Sequence, residues 1–240
     1  MTQIVVSDLT RFNNREIVCI AGLDRKTGKC IRPLRDERPH YLEYRYVKEN
    51  GIQPGSVLEG IFTVKREPAP HIEDHRVRNL RVLEHVDSEE FESLLRRSAV
   101  HSVKDGFGRV PSNRVFSTAM SPPPVSLLTL LLEDPCNQIQ IVEDGYDKTK
   151  IKAHITDKSG EVFSWVPITD LGFYDHVSVL KKADPGLMEL NAFIHEQDFV
   201  LLRLGLSRAY RQSEERNGFW LQANGIYTFP NYREDLRRYD

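Results

Sequence analysis

The chain has 240 residues, enough for one large domain or two small ones, either of which buries a core without metal or disulfide staples. With 40% hydrophobic and 28% charged residues it reads as an ordinary globular protein, which excludes the disordered and fibrous classes. A net charge of -2 excludes a wholly basic nucleic-acid-binding domain, so any contact with phosphates must come from a local patch.

The N-terminus, "MTQIVVSDLTRFNNRE", lacks the charged-then-apolar pattern of a signal peptide, and the longest apolar-rich run, "VSLLTLLLEDP", is too short to span a bilayer. Cys19, Cys30 and Cys136 are too few and too widely spaced for a zinc site or a disulfide framework. These features predict a cytoplasmic protein with no membrane association, no metal and no cofactor.

Apolar runs recur along the chain between turn signals: "EIVCIAGL", "KCIRPL", "GSVLEGIFTVKR" and "VRNLRVLEHV" in the first part, then "SLLTLLLE", "QIQIVE", "KIKAHI", "EVFSWVPI", "DFVLLRLGL", "GFWLQA" and "GIYTF". Such spacing predicts a mainly β chain. "RKTGK" (25–29), "DKSGE" (157–161) and "QANGIY" (222–227) each place Gly where a hairpin turn needs positive φ.

Helical signals are few. Asp87 or Ser88 is placed to cap "SEEFESLLRRSA", with acids in the first turn, Arg96 and Arg97 in the last, and Phe91, Leu94 and Leu95 as the apolar stripe. A second helix is expected after Asp184-Pro185, with Leu187, Met188, Leu190 and Ile194 as core candidates.

Two echoes suggest duplication. "KTGKCIR" (26–32) aligns with "KSGEVFS" (158–164), and "GLDR" (22–25) with "GLSR" (205–208). The pattern predicts two tandem OB-like (small Greek-key) β-barrels, over residues 1–86 and 126–240, joined by a helical and Pro-rich connection over 87–125. SH3-like barrels fit the same periodicity.

The blocks "IAGLDRKTGKCIRPL", "HIED", "PITDLGF", "LRLGLSRAY" and "FWLQANGIYTFP" resemble, in order and over nearly the whole chain, the dual OB-fold domain of prokaryotic proteins. The resemblance implies a nucleic-acid-binding module, in a genome-defence or mobile-element setting, and it implies no active-site residue.

Motifs for enzymatic chemistry are missing: there is no phosphate-binding G-x-x-x-x-G-K-[ST], no H-E-x-x-H, no G-x-S-x-G and no C-x-x-C. "EDGYDKTK" (143–150) reads as a hydrated turn rather than a nuclease site, and Thr169-Asp170 as a turn device. His71, Glu73, Asp74 and His75 share one loop and are not expected to bind metal.

Binding fares better, because small barrels hold strands by pairing a cationic groove with exposed rings. The opening hairpin supplies Arg25, Lys29, Arg32 and Arg35, and the echo hairpin replaces Lys29 and Arg32 with Glu161 and Ser164, so the extra charge belongs to the first barrel alone. "RPHYLEYRYVK" interleaves Arg38, Arg45 and Lys48 with Tyr41, Tyr44 and Tyr46, and the second barrel offers Arg203, Arg208, Arg211 and Arg216 near Tyr210, Phe219 and Trp220. Strand parity allows Arg76 and Arg78 to share a face and sets Arg81 opposite.

The sequence therefore predicts a non-catalytic nucleic-acid-binding module, backbone- and stacking-driven, using Arg25, Lys29, Arg32, Arg35, Tyr41, Tyr44, Arg208 and Trp220. The alternatives are a protein-interaction adaptor with a protein partner, and an unrecognised nuclease accessory subunit.

Overall fold

The computed structural model describes every residue except 38–39, 182–184, 214–216 and 240. Arg38, Asp184 and Arg216 therefore lie outside the described residues. The first half contains β1 (Thr2–Arg11), β2 (Ile17–Asp24), β3 (Cys30–Leu34), β4 (Leu42–Glu43), α1 (Tyr44–Glu49), β5 (Ser56–Val64) and β6 (Asp74–His85). Strand order in this sheet is β1-β5-β6-β3-β2-β4, and an added β1–β2 pairing closes five of the strands into a barrel. β3 and β6 run parallel while the other barrel pairs are antiparallel. A Greek-key barrel with that connectivity and a helix between its third and fourth strands is an OB-fold.

Alternation explains why both sides of this barrel wall are apolar. Ile4, Val6, Ile20 and Ile31 point into the barrel, whereas Val5, Leu23 and Cys30 point outward into a second core shared with the other half. β1, absent from the strands expected from sequence, is central because both of its faces are buried.

The connecting segment forms α2 (Ser88–Arg97), β7 (Ala99–Val100), α3 (Val103–Phe107) and β8 (Val115–Ser117). Asp87 caps α2 by accepting from the Glu90 amide at 2.8 Å, and Phe91, Leu94 and Leu95 are buried. β7 pairs with β9 (Leu127–Leu132), and β8 pairs with the last strand of the second half.

After β9 come α4 (Pro135–Gln138), β10 (Ile139–Glu143), β11 (Ile151–Thr156), β12 (Val162–Pro167), α5 (Leu171–Leu180), α6 (Gly186–His195), β13 (Phe199–Leu206), β14 (Tyr210–Arg211) and β15 (Asn217–Phe229). α4 breaks the first strand of this module in two, so that β9 pairs with β13 while β10 pairs with β11. β11 pairs with β12, β12 meets β15 through a parallel Ile168–Ala223 bridge, and β15 pairs with β13. The strand order is that of the first barrel. The chain is thus mainly β, built from two OB barrels.

Only one of the echoes has structural meaning. "KTGKCIR" and "KSGEVFS" both form the turn and third strand of a barrel, with Gly28 at φ 71 and Gly160 at φ 87. "GLDR" ends β2, a second strand, whereas "GLSR" ends β13, a fourth strand.

Three local expectations are corrected. Asn224-Gly225 makes no hairpin: β15 runs through it, because apolar residues on both sides stay paired with β13, and Asn224 is the extra residue of a bulge. Asp170 caps a helix rather than a bare turn, accepting from the Phe173 amide at the start of α5. On α6, Leu190 and Ile194 are buried as expected, but Met188 is exposed.

The two barrels pack through a mixed interface. Val5, Leu23 and Val57 meet Leu131, Leu201, Tyr227 and Phe229, with α2 alongside. Consequently the outer face of β1–β3 in the first barrel lies under the second barrel, on its β9, β13 and β15 side. No helix among the described residues is long and apolar enough to cross a membrane.

Candidate nucleic-acid interface

Of the residues expected to contact nucleic acid, Arg32, Arg208 and Tyr41 come together at one joint and the others lie apart. Arg32 is buried, and its Nη1 donates to Asp74 Oδ1 at 2.8 Å while Nη2 donates to Ser126 Oγ at 2.9 Å. Arg208 donates to the other oxygen of Asp74 at 2.5 Å, and Tyr41 bonds Arg208. Ser126 passes its own hydroxyl hydrogen to Glu73 at 2.8 Å, and Glu73 also accepts the Ser126 and Leu127 amides. This is an inter-barrel joint, so Arg32 is no phosphate contact: its charge is neutralised out of solvent.

His71 lies in the same joint, with Nδ1 3.2 Å from Arg32. Burial, and then the Arg208 and Arg32 charges, lower its pKa to about 3, so its imidazole is neutral. A second joint lies nearby: Arg203, 1% exposed, donates to Asp8 at 2.9 Å and to Thr129 at 2.9 Å. A third, Arg237 with Asp170, ties the C-terminal segment to α5.

The other expected residues are dispersed. Arg25 makes a two-pronged contact with Glu90 at 2.6 and 2.9 Å and a further one with Glu84 at 2.9 Å, which anchors α2. Lys29 is exposed in the β2–β3 turn. Arg35 lies 3.6 Å from Glu43. Tyr44 packs edge-on against Tyr239, and Trp220 lies half-buried, its indole nitrogen donating to the Tyr210 carbonyl at 3.4 Å.

Arg76, Arg78 and Arg81 do share a face, against the parity expectation. Asn79 sits at φ 52 in a bulge, so the three arginines oppose Thr63, Ile61 and Glu59 in register. Asp36 pairs with Arg76 at 3.4 Å and with Arg78 at 3.3 Å.

What the sequence reading passed over is the outer face of the second barrel. In β11 the residues alternate, with Ile151, Ala153 and Ile155 buried and Lys152, His154 and Thr156 half-buried on the other side. In β12, Phe163 and Val166 are both buried although three positions apart, so Ser164 and Trp165 together oppose His154 in a bulge. Trp165 takes φ 62, a left-handed conformation rare for a bulky side chain, and remains 41% exposed. Its ring meets His154 edge to face, with centroids 4.7 Å apart.

Tyr146 stands fully exposed on the neighbouring 144–150 turn. Cations surround these rings. Lys152 pairs with Asp144 at 3.4 Å, and Arg114 donates to the Trp165 carbonyl. Burial lowers the Lys152 and His154 pKa values. Two cavities flank Trp165, one of 470 Å³ and one of 350 Å³, and both are lined by Trp165 and Arg114.

A family profile described as the dual OB-containing domain matches residues 3–226. The chain belongs to that family. Comparison with curated protein sequences finds no match. Among solved structures, a murine DNA-binding protein bound with double-stranded DNA is similar over 94% of this chain and 95% of its own, at 10% identity and a TM-score of 0.34. That likeness is too slight to carry an argument. In this dual-OB chain the described residues contain no grouping of three or more His, Cys, Asp and Glu able to hold a metal.

Proposed function

We propose that this dual-OB domain binds nucleic acid without chemistry of its own, through the outer face of β10–β12. The observation that carries the reading is the open cluster of Trp165, His154 and Tyr146 beside Lys152 and Arg114. Rings offer stacking to any base, and the cations offset phosphate charge. The strands that carry this cluster are those through which OB barrels present a binding face. Resemblance to prokaryotic dual-OB proteins extends the proposal to service in a genome-defence or mobile-element system.

Fluorescence anisotropy with labelled single- and double-stranded DNA and RNA at two salt concentrations tests it. A Tyr146→Ala/His154→Ala variant is expected to bind at least about tenfold more weakly, the scale of one lost base–ring stack. Wild-type protein that binds no oligonucleotide at low salt overturns the reading.

A second reading, docking of a protein partner, is favoured by an 840 Å³ cleft between the barrels, whose walls include Leu23, Val64, Ile72, Val100, Val125 and Leu127. Val64 and Ile72 are exposed at its rim. Absence of nucleic-acid binding would bring that reading forward.

A further inference from the structure

Resting on the nucleic-acid reading above, we infer that Trp165 is a wedge that holds two consecutive bases of a single strand apart, one in each flanking pocket. The two cavities share Trp165 and Arg114 in their walls, which puts Trp165 at the border of both. The phosphate joining two bases split in this way runs past Arg114, whose positive charge attracts it.

The pockets differ in chemistry. The smaller carries Tyr146 and the Lys152–Asp144 pair, so a base there faces two rings, Tyr146 and Trp165. The larger has Val110, Pro111, Val162 and Phe163 as apolar wall, with Asn113, Ser164 and Glu161 as polar groups. The Glu161 carboxylate favours a base that presents an exocyclic amine, as cytosine, adenine and guanine do. It also repels phosphate, which keeps the backbone on the Arg114 side. A single strand is favoured over a duplex because its bases part without the cost of unstacking and kinking a paired helix.

The backbone at Trp165 is the independent observation. A bulge re-aims a side chain, and a bulky residue in the left-handed region is strained. Packing accounts for only part of the ring, which meets His154 edge-on and has its Cη2 beside Gly145 while 41% of the residue stays exposed. Glycine is the residue that conformation favours. Tryptophan there marks a ring held open for a partner.

The test uses the full chain and Trp165→Gly, which relaxes the backbone while removing the ring. Melting temperature is expected to stay level or rise, and affinity for a short single-stranded oligonucleotide is expected to fall about tenfold or more. A strand carrying two adjacent 2-aminopurines reports the split directly, since their circular-dichroism exciton couplet needs the bases stacked on each other. Saturation with wild-type protein should abolish the couplet, whereas saturation with Trp165→Gly should leave it and Trp165→Phe should restore most of the effect.

Wild-type binding with the couplet intact, or undiminished affinity in Trp165→Gly, overturns the wedge while the nucleic-acid reading stands. A large fall in melting temperature for Trp165→Gly also overturns it, by making the ring a support of the fold. No binding by wild type overturns both.

Discussion

The two barrels share a strand order but use the same surface in opposite ways. At the third strand, after matching "KTG" and "KSG" turns, the first barrel aims Arg32 outward and the second aims Ser164, with Trp165 beside it in a bulge. Arg32 meets Asp74 and Ser126 under the neighbouring barrel, whereas Trp165 meets solvent. Charge near a binding face is therefore a poor guide to binding, because in the first barrel that face has become an interface between modules. In the first barrel that face is covered, and in the second Trp165 on it is exposed.

The sharpest way to break this comparison is to cut the joint between the barrels. Arg203→Ala leaves Asp8 buried without its cation, with Oδ1 already lacking a hydrogen-bond partner. Removing one member of a buried pair costs about 3–5 kcal/mol, read as a lower urea midpoint. Exchange of both Arg203 and Asp8 for apolar residues should recover most of that loss. A cost under about 1 kcal/mol for Arg203→Ala would mean that the apolar contacts alone hold the barrels together.

Acid gives the next largest effect and separates the barrels again. His71 is held neutral in the folded joint down to a pKa of about 3, while in the unfolded chain it titrates near its ordinary value of about 6.5. Between these values the unfolded state binds more protons, so stability is full above pH ~6.5 and falls as pH drops toward ~3, by up to about 1.4 kcal/mol per pH unit. His71→Gln should flatten that slope in acid-titration urea curves. His154, on the open face and better solvated, should leave the slope nearly unchanged when replaced by Gln. A slope insensitive to His71→Gln places the acid-labile element elsewhere.

Much of this fold is legible in the sequence, and the reasons are local. The "RKTGK" and "DKSGE" turns carry glycine where the backbone needs positive φ, and the Asp87 cap and the stripe of Phe91, Leu94 and Leu95 set α2 by themselves. What failed depended on partners distant in sequence. Arg32 reads as a surface cation because Asp74 lies 42 residues away and Ser126 lies 94 away. Bulges defeat parity: Asn79 brings Arg81 onto the face of Arg76 and Arg78, and Asn224 carries β15 straight through an apparent turn. The best part of the candidate site did leave a signal. In "FSWVPI", Phe163 and Val166 stand three apart between polar or exposed positions, and a regular strand with one solvated face does not bury both, so in such a strand the pair points to a bulge at Ser164-Trp165.

The smallest expected effect tests whether the opening hairpin belongs to the binding surface at all. Lys26 and Lys29 are exposed at its turn, whereas Arg25 is engaged by Glu84 and Glu90. If binding runs over the second barrel alone, few phosphates are neutralised, because Lys152 and Lys150 already face Asp144 and Asp147. For single strands the slope of log K against log salt is about 0.7 per phosphate contact, so a slope of about 1 to 2 is expected from Arg114 and one neighbouring lysine. Lys26→Ala/Lys29→Ala should leave that slope unchanged and shift affinity less than about twofold. A slope reduced by about 0.7 for each lysine removed would mean that both touch phosphates. The strand would then cross from the open face to the first barrel, and the division of labour between the barrels would give way to one continuous track.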